Sequence, residues 1–378
     1  MFHRLRLREV AWAPLLLALG LTALGVLFVI SATFDPDQRY HLGREARLQL
    51  AWCLVALVSC LVCSHISLLS WKRLAMPAYF VTWGLLLGMM VLAGTALVPS
   101  IKGQHNWIAL GPLRLQPSEF MKLGVCLATA LILTRPGMDV RKLPHALGIL
   151  AFVGAPAVFL AREDLGSALT FVPMVLAMLI YAGMQMRHLI PMLLLGVTVI
   201  VAGIASLPQD GPKAYQYHRI QAWLHPEDYA LTEGYQTLRS IRSIGSGQIT
   251  GKGWAEGDQN RLGWLPEKHT DMIFAVVGEE WGFIGSAAIL VVFLGFGLAG
   301  LHAASQSRDP FGRLVGIGVV SLIMGQETVN LSVALGLMPV TGITLPFFSY
   351  GGSSLLATYT GLGMLQATQA TPRTATWT

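Results

Sequence analysis

Four ionisable side chains stand together in residues 264–271, W-L-P-E-K-H-T-D, directly before an apolar run. Asp271 is the last of them. A carboxylate in such a position can act as a general base that takes a proton from a reacting hydroxyl. Asp and Thr are also frequent helix N-caps, so the sequence alone leaves open a purely structural role for Asp271, with Thr270 beside it.

A second polar pair lies in residues 116–123, Q-P-S-E-F-M-K-L. Pro117 and Ser118 predict a helix start, Glu119 suits the positive end of the helix dipole, and Lys122 follows one turn later on the same face. Ionisable groups that enter an apolar helix usually face a cavity or each other, because burying them in hydrocarbon is costly. Glu119 and Lys122 are therefore candidate catalytic residues, with a snorkelling surface pair as the alternative.

A third polar stretch, Q-E-T-V-N at residues 326–330, interrupts an apolar run. Gln326 and Asn330 are expected to form hydrogen bonds with neighbouring helices, whereas Glu327 needs a partner that the sequence does not identify. If the protein were a transporter, such residues would line a path through it.

The glycine-rich run at residues 245–254, G-S-G-Q-I-T-G-K-G-W, resembles a phosphate-binding loop but departs from that pattern at Ser246 and Gly253. Its backbone N–H groups beside Lys252 either bind an anion or simply form tight turns. No His or Cys spacing matches a zinc site, so no dedicated set of metal ligands is predicted.

The composition indicates which class of protein carries these residues. The chain has 378 residues, of which 54% are hydrophobic and only 12% are charged, and its mean hydropathy is +0.58. These values indicate a polytopic helical membrane protein rather than a soluble enzyme. The net charge of +6 is consistent with basic loops on the cytoplasmic side, and nucleic acid is not expected as a partner.

Ten apolar runs are long enough to cross about 30 Å of hydrocarbon. We predict an all-α fold of about ten transmembrane helices that forms a single domain over residues 1–378. A large extracytoplasmic loop, about residues 208–280, would connect spans seven and eight. The predicted spans cover about residues 11–33, 48–67, 74–98, 118–134, 145–161, 165–183, 188–207, 281–303, 314–336 and 346–368.

The distribution of Lys and Arg predicts the orientation. With a cytoplasmic N-terminus, the inner segments carry twelve of these residues and the short outer segments carry seven, so both termini are expected in the cytoplasm. Seven more lie in the large outer loop, which predicts an anionic partner on that side of the membrane.

Several stretches resemble the SEDS family of shape, elongation, division and sporulation proteins, in order along nearly the whole chain. Lys268 before H-T-D and the stretch M-P-V-T-G resemble the elongation subgroup, RodA, more than the division subgroup, FtsW. The stretches that carry the resemblance are L-P-E-K-H-T-D-M-I-F-A-V-V-G-E-E-W-G-F-I-G, Q-P-S-E-F-M-K-L, D-L-G-S-A-L, G-S-G-Q-I-T-G-K-G-W and G-L-M-P-V-T-G-I-T-L-P-F-F-S-Y-G-G-S-S.

The resemblance implies a peptidoglycan glycosyltransferase of the bacterial cytoplasmic (inner) membrane. It would polymerise lipid II into β-1,4 glycan strands on the outer face during cell elongation and shape maintenance. The implied partners are a class B penicillin-binding protein, which is a transpeptidase, and other membrane proteins of the elongation complex. A lipid II flippase, a division-specific polymerase and a membrane scaffold are the alternatives.

The resemblance also implies roles for individual residues. Asp271 matches the essential aspartate of the family, Glu119 and Lys122 its charged pair, and Glu279 a supporting acid. If residues 271–280 are helical, Glu279 lies about 80° around the axis from Asp271 and Glu280 lies nearly opposite. The substrate-binding candidates are Trp107, Arg114, Arg219, Lys252, His269, Thr270 and Ser349.

The sequence departs from the family pattern in places. Asn106 stands before Trp107 where an arginine is usual, R-E-D-L-G replaces Q-P-D-L-G, and Thr344 replaces a proline. Glu327 is also atypical. Arg114, Arg219 or Lys252 would have to supply the contact that the missing arginine makes.

The expected chemistry needs only one base. Converting an α-linked donor into a β-1,4 product inverts the anomeric carbon, and diphosphate is already a stabilised leaving group. We therefore expect Asp271 to take the proton from the acceptor 4-hydroxyl. Lys122 and nearby cations would offset the charge of the leaving group, together with Mg²⁺ or Mn²⁺ bridging the diphosphate oxygens.

Overall fold

The structure is a computed structural model that describes residues 9–34, 43–100, 105–111, 113–161, 164–205 and 215–369. A short antiparallel hairpin, β1 (Ile108–Leu110) and β2 (Leu113–Leu115), precedes α4. The helices are α1 (Trp12–Ala32), α2 (Arg44–Ser64), α3 (Leu68–Val91), α4 (Pro117–Leu133), α5 (Leu143–Ala161), α6 (Leu165–Tyr181), α7 (Met186–Ala205), α8 (Tyr215–Leu224), α9 (Tyr235–Ser246), α10 (Asp258–Arg261), α11 (Ile273–Gln306), α12 (Pro310–Ala334) and α13 (Gly352–Gln369).

The predicted fold class, a helical integral membrane protein, is confirmed. Each predicted span overlaps one long helix, and the short helices α8, α9 and α10 lie between α7 and α11. Among the described residues, six helices are long and apolar enough to cross a membrane, namely α1, α2, α3, α5, α11 and α12. Ten crossings and an extracytoplasmic position for α8–α10 stay predictions. The predicted cytoplasmic termini, with Arg4, Arg6, Arg8 and Arg373, lie outside the described residues.

Two predicted spans extend into irregular backbone. The third was expected at about 74–98, but α3 begins after Ser67, whose hydroxyl accepts a hydrogen bond from Ser70 N. Beyond α3 the chain turns at Gly94, and Gly94 N donates to Val98 O. The tenth is predicted from about 346, but residues 346–350 are turns and bends and α13 begins only at Gly352. Hydropathy does not distinguish these apolar turns from helix.

The helix α12 lies at the centre of the protein. In an apolar 18-residue stretch of α12, 78% of the residues are buried, against 28% in the corresponding stretches of α3 and α5. It packs mainly against α4, α6, α11 and α13, while α2 packs on α13 and α3 on α4. The outer helices keep large apolar side chains exposed, such as Leu54, Val58 and Leu61 of α2, as lipid-facing surfaces require.

The helix α11 consists of two helical segments joined at Gly282, whose backbone is not helical (φ 62°, ψ −158°). This conformation is essentially restricted to glycine. A Cβ there would also lie 2.3 Å from Gly251 N and 2.7 Å from Ile249 O. The predicted eighth span, about 281–303, therefore corresponds to the second segment, and residues 273–281 form a separate buried helix.

We expect Gly282→Ala to lower the free energy of unfolding by about 2–5 kcal/mol, because it adds both backbone strain and a clash with the glycine-rich run. Thermal unfolding of the purified protein in detergent measures this. Gly295→Ala is the matched control in the same helix, since a Cβ there meets only Leu17 Cδ1, at 3.7 Å. Equal thermal stability of the two variants would contradict the role assigned to Gly282.

Candidate active site

Asp271 lies in a turn immediately before α11. The backbone N–H groups of Thr270 and Met272 both donate to Glu267 O, at 3.1 Å each, and Glu267 has a positive φ of 50°. The N-cap residue of α11 is Met272. Asp271 thus stands one residue before the N-cap position, which Met272 occupies.

Three consecutive carbonyls hold this turn in place. The backbone oxygens of residues 269, 270 and 271 accept hydrogen bonds, in that order, from Tyr350 N (2.8 Å), Ser349 Oγ (2.6 Å) and Asn330 Nδ2 (2.8 Å). All three donors belong to the end of α12 or to the segment between α12 and α13. The backbone at Asp271 is therefore fixed by the centre of the bundle.

The segment between α12 and α13, residues 335–351, is here called the buried connection after its second half, in which residues 345–349 are all buried, whereas Leu335 and Leu337 are exposed. Asn330 Nδ2 also donates to Ile343 O (2.6 Å), and Ser349 Oγ accepts from Leu345 N (2.8 Å). Asp271 Oδ2 lies 3.9 Å from the position of a Cβ at Gly342. The carboxylate thus faces the buried connection at a residue without a side chain.

Glu119 and Lys122 form an ion pair inside the bundle, with 2.7 Å between Lys122 Nζ and Glu119 Oε1. Lys122 is 1% exposed and Glu119 is 6% exposed. The alternative of a snorkelling surface pair is therefore wrong.

The Glu119–Lys122 pair reaches the buried connection through α12. Lys122 Nζ donates to Gln326 Oε1 (2.9 Å), and Gln326 Nε2 donates to Thr344 O (3.1 Å) and Ser354 Oγ (3.2 Å). Gln326 and Asn330 stand one turn apart on α12 and bind the adjacent carbonyls of residues 344 and 343. The charged pair and Asp271 are thus linked to neighbouring residues of one segment, and the hydrogen bonding expected of Gln326 and Asn330 is present.

Glu279 does not pair with Asp271. Its fully buried carboxylate accepts hydrogen bonds from Lys252 Nζ (2.8 Å), Gln259 N (3.0 Å) and Ser243 Oγ (3.1 Å). Its partners therefore lie in the region between α7 and α11, and the expectation of direct support for Asp271 is wrong. A catalytic role for Glu279 stays a prediction.

Glu280 points away from Glu279, as the helical angle predicts. Its carboxylate accepts hydrogen bonds from Asn260 Nδ2 (3.0 Å) and from the hydroxyl of Ser31 in α1. Lys268, nearby, donates to Asn260 O at 2.7 Å. Burial lowers the pKa of Lys268, and the charge of Glu280 partly opposes that change.

The glycine-rich run caps the first segment of α11. The N–H groups of Lys252 and Gly253 donate to the carbonyls of Glu279 and Glu280, at 3.0 Å each. Because these groups are occupied by backbone oxygens, the tight-turn reading of the run fits the structure better than anion binding.

Lys252 lies between two carboxylates, Glu279 and Asp258, with its side chain 26% exposed. Burial disfavours its charge, but the hydrogen bonds that its Nζ donates to Glu279 and Asp258 outweigh that effect and raise the pKa of Lys252 above the ordinary 10.5. Its ammonium group holds the loop to α11, and its substrate-binding role stays a prediction.

Arg219 lines a cavity of about 220 Å³ beside the buried connection. Its Nη1 donates to Val340 O (3.1 Å), and Trp223 Nε1 donates to Gly336 O (3.0 Å). Both residues belong to α8, so the large loop rests on the same segment as Asp271. The cavity is lined by Arg219, Ala222, Trp223, Thr232, Glu233, Tyr235, Gln236, Thr237, Pro266 and Val340.

The hairpin carries two further candidates. Trp107 is half-buried just before β1, and Arg114 has an exposed side chain on β2. Ser353 Oγ of α13 donates to Arg114 O and accepts from Gln116 N, at 3.1 Å each. The structure thus groups His269, Thr270 and Ser349 at the Asp271 turn, Arg114 at the start of α13, and Lys252 with Glu279 in a separate cluster.

Asp164, the first residue of D-L-G-S-A-L, has a structural role that the sequence does not predict. It is buried and caps α6 by accepting from Ser167 N (2.9 Å). Its other oxygen accepts from Gln116 Nε2 (3.0 Å) and Ser118 Oγ (3.3 Å). The signal was an Asp three residues before Ser at the start of an apolar run.

The described residues do not offer a protein-only site for a divalent cation, since no three of their His, Cys, Asp and Glu side chains come together as ligands. The expected Mg²⁺ or Mn²⁺ stays a prediction.

The profile of the FtsW/RodA/SpoVE cell cycle protein family matches residues 11–373. The chain belongs to this family. A Geobacter metallireducens protein named probable peptidoglycan glycosyltransferase FtsW is 34% identical to this chain over 361 residues. The matched residues cover 93% of this chain and 92% of the Geobacter protein. Stage V sporulation protein E of Bacillus subtilis is 32% identical over 355 residues, 93% of each chain.

Solved structures share the fold of this SEDS chain. A chain from a peptidoglycan synthase complex that coordinates polymerization and crosslinking has a TM-score of 0.77 and 30% identity, with 95% of this chain and 97% of that chain covered. The rod shape determining protein RodA of Thermus thermophilus has a TM-score of 0.65 and 28% identity, with coverages of 95% and 96%.

These similarities confirm the predicted SEDS family and the glycosyltransferase class of enzyme. They distinguish the RodA subgroup only weakly, since the curated relatives described above carry the names FtsW and stage V sporulation protein E, whereas RodA is among the structural neighbours.

We expect Lys252→Met to lower the free energy of unfolding by about 1–3 kcal/mol, because buried Glu279 loses its cation. Arg261→Met, at an exposed residue with the same loss of charge, should have little effect. Because the pKa of Lys252 is raised, its stabilisation is complete below pH 10.5 and is lost as the pH rises through the raised pKa. Thermal melts from pH 7 to 11.5 test this, and an advantage of wild type over Lys252→Met that does not shrink at the alkaline end would contradict it.

Proposed function

We propose that this chain polymerises lipid II into β-1,4 glycan strands on the outer face of the bacterial cytoplasmic membrane, with both termini in the cytoplasm. The names of the curated relatives support peptidoglycan as the product. The observation that carries the proposal is the turn of residues 269–271, in which three successive carbonyls are bound by the core of the bundle.

Asp271 is the general base of the proposed reaction. It takes the proton of the acceptor 4-hydroxyl while the acceptor oxygen bonds to the anomeric carbon and the bond from that carbon to the diphosphate oxygen breaks. Fixing the backbone on both sides of the carboxylate removes much of the entropic cost of aligning a base with its hydroxyl. Because Asp271 Oδ2 faces Gly342, a substrate there meets no side chain from that residue.

The leaving diphosphate needs positive charge nearby. Arg114 is exposed on the hairpin, and Arg219 lines the cavity beside the buried connection. Both are more accessible than Lys122, which is buried and bound to Glu119 and Gln326. We assign the direct contact to Arg114 and Arg219. The role of Lys122 is to hold the buried connection through Gln326.

A lipid II flippase is the second candidate. One observation favours it, because Glu327 is buried in α12 and its Oε2 has no hydrogen-bond partner within the described part of the chain. Asn330, the other residue expected on a transport path, instead donates to two backbone carbonyls. Because the Asn330 amide group holds the backbone of the fold in this way, it is not available on a transport path, and this favours the transferase.

A class B penicillin-binding protein, a single-span transpeptidase, is the proposed partner. The support is the similarity to a chain solved within a peptidoglycan synthase complex, with 30% identity over 95% of this chain. Other membrane proteins of the elongation complex are proposed on the resemblance alone.

Two cellular roles are candidates, elongation and division. The residues Lys268 and M-P-V-T-G at 338–342 support elongation, whereas the FtsW names of the curated relatives support division. Expression in bacteria depleted of their own elongation or division polymerase distinguishes the roles. Restored rod shape supports elongation, and restored septation without rod shape would reject it.

We expect Asp271→Asn to reduce polymerisation of lipid II in vesicles by about 10²- to 10⁴-fold, because the amide cannot accept the proton. Lipid II binding and the thermal unfolding midpoint should remain. Asp228→Asn makes the same chemical change at an exposed loop residue and should retain full activity. Glycan chain length is read on gels, and lipid exchange between leaflets is measured in the same vesicles.

Wild-type turnover in Asp271→Asn would remove the assignment of the base. If the wild-type protein exchanges lipid II between leaflets without making glycan chains, the transferase proposal is replaced by a flippase. If the protein shows neither activity, a scaffold role remains.

A further inference from the structure

A second cavity, of about 470 Å³, lies at the far end of the bundle from Asp271. Asp271 precedes α11, whereas this cavity is lined by Asp309 and Arg313, beyond the other end of the same helix. The straight part of α11, residues 283–306, rises about 36 Å, roughly the thickness of the hydrocarbon core. The two sites therefore lie at opposite membrane surfaces.

The cavity combines an apolar wall with a cationic rim. Its apolar residues come from the ends of α4 and α6 and from the start of α12, and its cations are Lys72, Arg135 and Arg313. The apolar and aromatic lining residues are Leu131, Leu133, Pro136, Tyr181, Ala182, Pro310 and Leu314.

The only carboxylate in the lining, that of Asp309, is already engaged. Its Oδ2 binds Lys72 Nζ at 2.8 Å, and its Oδ1 caps α12 by accepting from Phe311 N at 2.9 Å. Three cations against one anion leave two positive charges in excess. Arg135 and Arg313 therefore have no carboxylate partner within the lining of this cavity.

Both guanidinium groups have N–H donors that can bind an anion. Arg313 uses Nε to donate to Ser307 O, which leaves its terminal nitrogens. Arg135 is exposed and forms no ion pair with any residue that the structure describes. Arginine binds phosphate oxygens through such paired N–H groups.

We infer that this cavity binds an anionic phospholipid of the leaflet opposite the Asp271 side. Its phosphate lies between Arg135 and Arg313, and its acyl chain lies against Leu131 and Leu314. A soluble phosphate compound would use the rim and leave the apolar wall in contact with water, whereas a lipid satisfies both. The bound lipid joins the ends of α3, α4, α6 and α12, and this goes beyond the proposed transferase activity.

The test uses the full-length protein, delipidated in an uncharged detergent, with bound lipid counted by native mass spectrometry. Phosphatidylglycerol and phosphatidylcholine with the same acyl chains are titrated separately. Wild type should bind phosphatidylglycerol at least ~10-fold more tightly than phosphatidylcholine, and Arg135→Gln/Arg313→Gln should weaken phosphatidylglycerol about 30-fold, as expected for the loss of two phosphate contacts.

Lys142→Gln/Arg187→Gln is the matched control, because it removes two exposed cations from the same end of the bundle outside the cavity. It should change binding less than about threefold. Two single variants replace the double variant if it does not fold. Arg135→Gln changes only an exposed side chain, and Ala182→Trp fills the apolar wall. Each should weaken phosphatidylglycerol binding. Thermal unfolding checks the fold of every variant.

Three results would overturn the inference. The control pair could lose phosphatidylglycerol as strongly as the cavity pair, which would indicate general surface charge. Phosphatidylcholine could bind as tightly as phosphatidylglycerol in wild type. Inorganic phosphate or glycerol 3-phosphate at millimolar concentration could displace the lipid while Ala182→Trp binds normally, which would indicate a site for soluble phosphate.

Discussion

Irregular backbone inside an apolar bundle must have its polar groups paired within the protein, because no water is present to replace a missing partner. The buried connection is under this constraint in its second half, residues 343–349, whereas Leu335 and Leu337 are exposed. Side chains from α2, α8 and α12 therefore serve its carbonyls, and one of these donors, Asn330, also fixes Asp271. The donors and carbonyls are Gln49 with Ser349, Gln326 with Thr344, Asn330 with Ile343, Arg219 with Val340 and Trp223 with Gly336.

The same constraint explains why the polar side chains fall into groups rather than one cluster. A buried charge is tolerated where it has a partner and further hydrogen bonds. Lys122 has Glu119 and Gln326, and Glu279 has Lys252 together with hydroxyl and backbone donors. Each group attaches one part of the chain to another. The Asp271 turn is held through its backbone carbonyls.

The sequence predicts what depends on composition and local pattern. Long apolar runs locate the helices, Pro117 marks the start of α4, and polar residues within α12 indicate hydrogen bonding between elements. Hydropathy does not detect apolar turns, so it predicts helix for residues 92–98 and 346–351. The partners of Glu279 depend on how the loop folds back over α11, and the break at Gly282 depends on the approach of Gly251. Neither relation is local, and neither is visible in a single sequence.

Glu279 and Glu280 are adjacent, yet their carboxylates bind different donors. Glu279 binds donors of the large loop only, whereas Glu280 binds Asn260 of that loop and Ser31 of α1. Successive helical residues differ by about 100° in direction. One inserted or deleted residue between 273 and 279 would turn both carboxylates away from their partners at once. This short helix is therefore constrained in length as well as in residue type.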